Sequence, residues 1–212
     1  MPINMVKLPT SRKDLYFRVA KGHFATSRSH TNYYIDITVQ KTRLSEATAL
    51  AQEFVEMYRY KAPVDTILCL DGTEVIGTCI ANEMTRMELA NMNLHQTVYI
   101  VTPEHTSGSQ LIFRENILPM IKGKNVLILA ASVVTGFTAR GAVEAVKYYD
   151  GNISGIAAVF STETECEGYP ITSVFNPKDL PDYASCDSHK CPMCREEKKI
   201  DALINCYGYS KL

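Results

Sequence analysis

The apolar positions of this chain fall into short unbroken runs separated by stretches of helical period, and that alternation predicts its architecture. Val126, Leu127, Ile128 and Leu129 form a continuous apolar run, as in a central parallel strand covered on both faces. Residues 66–70 (TILCL), 97–101 (TVYIV) and 155–160 (GIAAVF) read as further apolar strands, with 171–175 as a possible edge strand. Residues 44–60 place Leu44, Ala47, Ala51, Phe54, Val55 and Tyr58 at three- and four-residue steps, which predicts an amphipathic helix. A second helix follows the Asp71-Gly72 turn and turns Val75, Ile76, Cys79, Ile80 and Met84 to the core, and a third runs from the turn after Val133 to about Tyr149. Near the start, residues 14–21 are expected to form a short helix ending at Gly22. Residues 33–39 (YYIDITV) form a strand that pairs with 23–26 across the polar SRSHTN segment. The expected class is α/β, a mostly parallel central sheet flanked by helices.

Composition narrows the range of partners. A chain of 212 residues with 46% hydrophobic content is long enough for one α/β domain and a short appendage. Its net charge of −1, from 22 basic and 23 acidic residues, gives no reason to expect nucleic acid or an anionic membrane as partner. A small-molecule ligand is expected instead. The first residues lack a secretory layout, and no run approaches the roughly 18 apolar residues of a membrane span, so a cytoplasmic location is expected. Seven cysteines, two of them in apolar segments, argue against a disulfide framework and leave reduced thiols or a metal site.

The chemistry concentrates in residues 125–141, NVLILAASVVTGFTARG, where the strand breaks into a hydroxyl-bearing turn and then a helix. Ser132, Thr135, Gly136, Phe137 and Thr138 offer short side chains, hydroxyls and free backbone N–H groups at a helix N-terminus, a setting that suits phosphate. A dinucleotide site lacks its G-x-G-x-x-G, and a P-loop lacks its Gly-Lys-Ser/Thr.

Three stretches together resemble the type I phosphoribosyltransferases, and orotate phosphoribosyltransferase most closely. That family's phosphoribosyl diphosphate motif, an apolar strand, two acidic residues, two apolar positions and Thr-Thr-Gly-Gly-Thr, shares its frame with residues 127–138. Its diphosphate loop is similar to Gly72, Thr73, Glu74, Val75, Ile76 and Gly77, with Ala81 where an alanine is usual. Its Ser-Gly-Arg-x-Ser-Pro-Tyr-Tyr segment resembles TSRSHTNYYIDI. The resemblance implies a phosphoribosyltransferase-like domain over residues 1–180, with a hood at about 12–40, and a Cys-rich appendage over 181–212. It further implies a homodimer, magnesium, and the joining of orotate to phosphoribosyl diphosphate. The same frame also marks departures. Ala130 and Ala131 stand where the family has the acids that hold ribose hydroxyls, Ile76 replaces a lysine, and the loop TPEHTSGSQ offers only His105 and adds Glu104. Arg114, Lys122 and Lys124 read as solvated surface rather than as replacement charge. One donor or cation aimed at developing charge is worth about 3 to 4 kcal/mol, so losing several leaves little transfer chemistry. No catalytic residue is assigned. Two functions follow: an orotate phosphoribosyltransferase-like protein that binds phosphoribosyl diphosphate or a nucleoside monophosphate, with transfer in doubt, or a non-catalytic nucleotide sensor on the same fold.

The tail holds Cys191-Pro-Met-Cys194, preceded by Cys186 and His189 and followed by Cys206. Four thiolate or imidazole ligands suit tetrahedral zinc, and the expected set is Cys186, Cys191, Cys194 and Cys206, with His189 as an alternative to Cys186. Redox chemistry, plain reduced thiols, a half-site completed by another subunit, and an interaction module organised by the tail remain open. His23, His30 and His95 have no partner visible in the sequence and receive no function.

Overall fold

The computed structural model describes residues 3–10, 12–58, 63–86, 97–107 and 110–212. Three strands come first: β1 (Val6–Pro9), β2 (Tyr16–Ala25) and β3 (Ser29–Asp36), with β2 antiparallel to both others. Helices α1 (Thr38–Thr42) and α2 (Leu44–Tyr58) lead to β4 (Thr66–Cys69), α3 (Glu74–Arg86) and β5 (Tyr99–Val101). A ribbon of β6 (Glu104–His105) and β7 (Leu111–Ile112) precedes β8 (Asn125–Val133), α4 (Phe137–Tyr148) and β9 (Asn152–Ser161). After β10 (Glu165–Cys166) and β11 (Tyr169–Phe175) come β12 (Ser185–Asp187), α5 (Pro192–Arg195), β13 (Ala202–Asn205) and β14 (Gly208–Lys211).

The central sheet has the order β10-β11-β9-β8-β4-β5, parallel throughout except for β10 at its edge, so the α/β class read from the alternating pattern is what the chain forms. Successive side chains of a strand point to opposite faces, and both faces here are covered. Ile67, Cys69, Leu127 and Leu129 pack with α2 and α3, whereas Leu68, Val126 and Ile128 pack with Ala142, Val143 and Val146 of α4. This is why the runs at 66–70 and 126–129 are apolar without alternation. Helix α3 lies so close to β4 that a Cβ on Gly77 would meet Cys69 Sγ at 2.5 Å. Glycine there is a packing requirement.

The expected helix over residues 14–21 is instead the first half of β2. Eight residues are too few for a helical period to outweigh tertiary pairing, and Tyr16, Phe17 and Val19 are strand formers. Phe17 and Val19 face the main core, while Ala20 and Phe24 face a smaller cluster with Tyr34 and Ala202. A hairpin between β2 and β3 forms, but in another register than expected: β3 begins at Ser29 within the polar segment and ends at Asp36, residues 33–36 pair with 18–21 rather than with 23–26, and α1 takes residues 38–42. Its register shifts between Lys21 and Phe24, a bulge at Gly22 and His23 where the His23 N–H bonds Asp201 Oδ2 at 2.8 Å. Arg18 of β2 and Glu46 of α2, both buried, form a bidentate ion pair at 2.6 and 2.5 Å that joins the hairpin to the main domain.

A second sheet, of order β12-β3-β2-β13-β14 with β1 also on β2, contains both the N-terminal hairpin and residues from the chain's last thirty. β13 runs parallel to β2, and β12 pairs Cys186 opposite His30. The predicted helix at 44–60 is α2, its last two positions lying outside the described residues, as do His95 and Gly108. No helix among the described residues is long and apolar enough to cross a membrane.

Candidate functional site

Where the carboxyl ends of β4 and β8 face the second sheet, a cleft of ≈ 1340 Å³ opens, the usual place for a ligand on a parallel sheet. Its floor is the turn after β8. Ser132, Thr135, Phe137 and Thr138 are all exposed to it, and Gly136 takes a left-handed φ of 70° as the residue capping α4. No side chain caps this helix, and its first intrahelical bond runs from Arg140 N to Gly136 O at 2.8 Å. The N–H groups of Phe137, Thr138 and Ala139 therefore have no partner within the helix, and the positive end of the helix dipole faces the cleft. All five residues expected to bind phosphate lie together here.

A cation absent from the sequence-based set lies above this floor. The β2–β3 turn is fastened by Thr26, whose N–H bonds Ser29 O at 2.8 Å and whose hydroxyl accepts from the Arg28 and Ser29 N–H groups at 3.2 and 2.9 Å. The turn holds the exposed Arg28 guanidinium 3.6 Å from the centroid of the Phe137 ring, at the first turn of α4.

The loop over residues 71–77, expected to hold diphosphate, is built differently from its sequence expectation. Asp71 and Gly72 both adopt left-handed backbone, with φ of 58° and 76°. Thr73 does not face the cleft: its side chain is fully buried and its hydroxyl donates to Leu70 O and Leu129 O at 2.8 and 3.2 Å. Glu74, in the first turn of α3, is exposed. The Lys41 ammonium donates to Asp71 O at 2.8 Å and to Cys206 O at 2.5 Å, which ties the β13–β14 turn to this loop and places a cation beside Gly72. Burial pushes the Asp71 carboxyl above the usual carboxylate range, with Lys41 and His105 opposing the rise. Position 41 carries no motif, so only the fold reveals it.

Ala130 and Ala131 pack into opposite faces of the core and offer no hydrogen-bonding side chain. Arg114 is engaged by Glu104, 2.6 Å away on the exposed β6–β7 ribbon, and Lys122 lies 3.7 Å from Asp150. A protein-held magnesium does not fit these residues. Among the described residues lining the cleft only Asp71 and Glu144 carry carboxylates, and they stand on different elements, the loop after β4 and α4.

The four cysteines expected to bind zinc are not one cluster. Cys191 and Cys194 lie together, but their companions are His23 and His30, the four ligand atoms all falling within 4.8 Å of one another. Cys186 sits beside Cys191 with its sulfur 3.7 Å from His30 O, and Cys206 belongs to the cleft, next to Asp71 and Lys41. His189 caps nothing in this group; its N–H bonds Asp187.

No family model matches the chain, and no curated protein matches it in sequence. Solved structures match it in fold. The orotate phosphoribosyltransferase of Mycobacterium tuberculosis H37Rv in complex with 5-phospho-alpha-D-ribosyl 1-diphosphate is 19% identical, with 70% of this chain and 83% of that one covered and a TM-score of 0.52. The UMP synthase of Leishmania donovani is 20% identical over 76% of this chain, with a TM-score of 0.57, and the match spans 34% of that longer protein. The adenine phosphoribosyltransferase of Thermoanaerobacter pseudethanolicus is 15% identical, covering 68% of this chain and 88% of that one, with a TM-score of 0.51. The chain has the type I phosphoribosyltransferase fold.

Proposed function

We propose that the cleft binds a compound carrying a ribose 5′-phosphate, either phosphoribosyl diphosphate or a nucleoside monophosphate, and that binding rather than glycosyl transfer is its main activity. The observation that carries this reading is the uncapped start of α4. Three N–H groups without intrahelical partners, the hydroxyl-bearing Ser132, Thr135 and Thr138, and the Arg28 guanidinium above Phe137 all line the same part of the cleft. The structural neighbour from Mycobacterium tuberculosis holds 5-phospho-alpha-D-ribosyl 1-diphosphate, which supports the ligand class.

Transfer would need more. Departure of diphosphate develops negative charge that must meet preorganised cations, and the ribose hydroxyls need acceptors. Lys41 is held by two carbonyls, Arg114 by Glu104, and positions 130 and 131 are alanines. Any magnesium would have to arrive on the ligand's own phosphates. A residual orotate phosphoribosyltransferase activity is the second reading, favoured by the overall likeness to that enzyme. A homodimer is proposed with it, by the same likeness.

The test measures orotate consumption with phosphoribosyl diphosphate and Mg²⁺ beside calorimetric titrations of phosphoribosyl diphosphate and UMP. Binding without turnover is expected. Turnover at ordinary enzymatic rates refutes the binding reading, and the absence of both refutes the ligand class.

A further inference from the structure

Outside the residues that line the cleft, four potential metal ligands meet from two distant parts of the chain. His23 Nε2 lies 3.0 Å from His30 Nδ1, Cys191 Sγ lies 3.5 Å from His23 Nε2, and Cys194 Sγ lies 3.7 Å from His23 Nε2 and 3.3 Å from His30 Nδ1. Tetrahedral zinc with Zn–N of about 2.05 Å and Zn–S of about 2.3 Å requires N···N edges near 3.4 Å and N···S edges near 3.6 Å. The observed edges match within a few tenths of an ångström. Carboxylates, which would signal a harder cation, are missing from the four.

Three of the four ligands are positioned by contacts outside the cluster or by local backbone. The other ring nitrogen of His23, Nδ1, lies 2.9 Å from Lys198 O, and the only hydrogen bond it can make to a carbonyl is as donor. That fixes the tautomer and leaves the Nε2 lone pair free to bind an ion, the usual arrangement around a metal-bound histidine. The bulge at Gly22 and His23, held by Asp201, turns His23 toward His30 across the hairpin. Cys191 precedes α5 and Cys194 lies within it, so one helical turn brings both sulfurs to the same side, and the N–H groups of Cys194 and Met193 point at the Cys191 sulfur. Three of the four residues are buried, at 3%, 8% and 1% exposure for His23, His30 and Cys191. Without an ion, His23 Nε2, His30 Nδ1 and the two thiols have only one another as close polar partners, whereas Zn²⁺ with two imidazoles and two thiolates is a neutral centre.

We infer that His23, His30, Cys191 and Cys194 form a closed, structural Zn²⁺ site that clips the C-terminal segment to the N-terminal hairpin. Binding displaces the two thiol protons to solvent, and the four protein ligands leave no open position for catalysis. The consequence reaches the cleft, because the clipped segment continues into β13, which pairs with β2, and then to Cys206, whose carbonyl receives Lys41. Cys186, although it neighbours Cys191, lies outside the ligand set, as does Cys206. The site does not depend on what the cleft binds.

The experiment is metal analysis of the purified full-length protein, reduced and passed through buffer without chelator, for the wild type and the variants H30A, C191S, C186S and C206S. About one zinc per chain is expected for wild type, C186S and C206S, and a loss of at least tenfold in zinc affinity, read by competition with a chromophoric chelator, for H30A and C191S. Cobalt exchanged into the wild-type protein keeps the inference testable if those two variants do not fold. It should show tetrahedral d–d bands and a thiolate-to-cobalt charge-transfer band of the strength of two thiolates. Wild-type protein that neither carries zinc nor binds added Zn²⁺ overturns the inference. So does loss of zinc in C206S, or a cobalt spectrum of three or four thiolates.

Discussion

Replacing Arg28 with alanine removes the side-chain cation that, among the described residues, the hood turn places over the start of α4, and the geometry sets the size of the effect. The guanidinium sits 3.6 Å above the Phe137 ring, so a phosphate bound by the Phe137, Thr138 and Ala139 N–H groups lies within reach of its donors. A hydrogen bond from a charged donor contributes about 1.5 to 3 kcal/mol, which is roughly a 10- to 150-fold weakening of binding at 1.4 kcal/mol per decade. The cation–π contact with Phe137, worth about 0.5 to 1 kcal/mol at an exposed site, is lost from free and bound protein alike and adds little to the difference. Calorimetric titration of UMP into wild type, R28A and R28K at two salt concentrations gives the answer. R28A should weaken binding by 10- to 150-fold and reduce its salt dependence, with R28K in between, since lysine keeps the charge without the planar fork. Equal affinity of R28A and wild type for UMP would refute the placement of the phosphate beneath the hood turn.

Three further outcomes follow from packing and burial. Gly77→Ala drives a methyl to within 2.5 Å of Cys69 Sγ and should destabilise the fold by about 1 to 3 kcal/mol in urea unfolding, and Cys69→Ala should recover much of this in the double variant; simple additivity would show that the clash is not the cause. Glu46→Ala leaves the buried Arg18 guanidinium unpaired and should cost about 3 to 5 kcal/mol, and a loss under 1 kcal/mol would mean that Arg18 finds another partner. Burial pushes the Cys69 thiol up to about 12 from an ordinary value of 9.0. Between those pH values the native state keeps a proton that the unfolded chain has released, so stability falls as pH rises. Cys69→Ala should lessen that fall by up to about 1.4 kcal/mol per pH unit, and an unchanged slope would contradict the burial argument.

The sequence reveals what depends on local pattern and hides what depends on distant segments meeting. Val126 to Leu129 and Ile67 with Leu68 announce buried parallel strands because both faces of the sheet are covered, and Leu44 to Tyr58 announces a helix by its period. The strand-to-helix turn before α4 is legible for the same reason, since Ser132 to Thr138 are consecutive and need no tertiary partner to meet. Residues 14–21 were open to misreading because strand pairing with β1 and β3 decides their conformation and no local spacing records it. Thr73 carries the right residue type for an anion loop, yet its hydroxyl turns inward to two carbonyls. Lys41 reaches the Asp71 loop at the cleft's edge from α1, and nothing in its neighbours marks it; Arg28 lies in the TSRSHTNYYIDI segment, yet only the folded turn brings it to the start of α4. The histidine–cysteine cluster illustrates the limit most clearly. Cys191-x-x-Cys194 is visible in the sequence as a pair, with other cysteines as its nearest candidate companions. In the fold its companions are two histidines seven residues apart on a hairpin, more than 160 residues away along the chain. The available signal was the pair itself, His23 and His30, flanking a turn that brings them face to face across two antiparallel strands.

The central claim is that the start of α4 binds the 5′-phosphate of a ribosyl compound. Its most direct measurement is a calorimetric comparison of UMP with uridine, two ligands that differ only in that phosphate, on the full-length protein at low salt. The account predicts that UMP binds and that uridine binds at least 100-fold more weakly, the phosphate supplying at least about 2.7 kcal/mol through N–H groups, hydroxyls and Arg28. Comparable affinities for the two, or no binding of UMP, would contradict it.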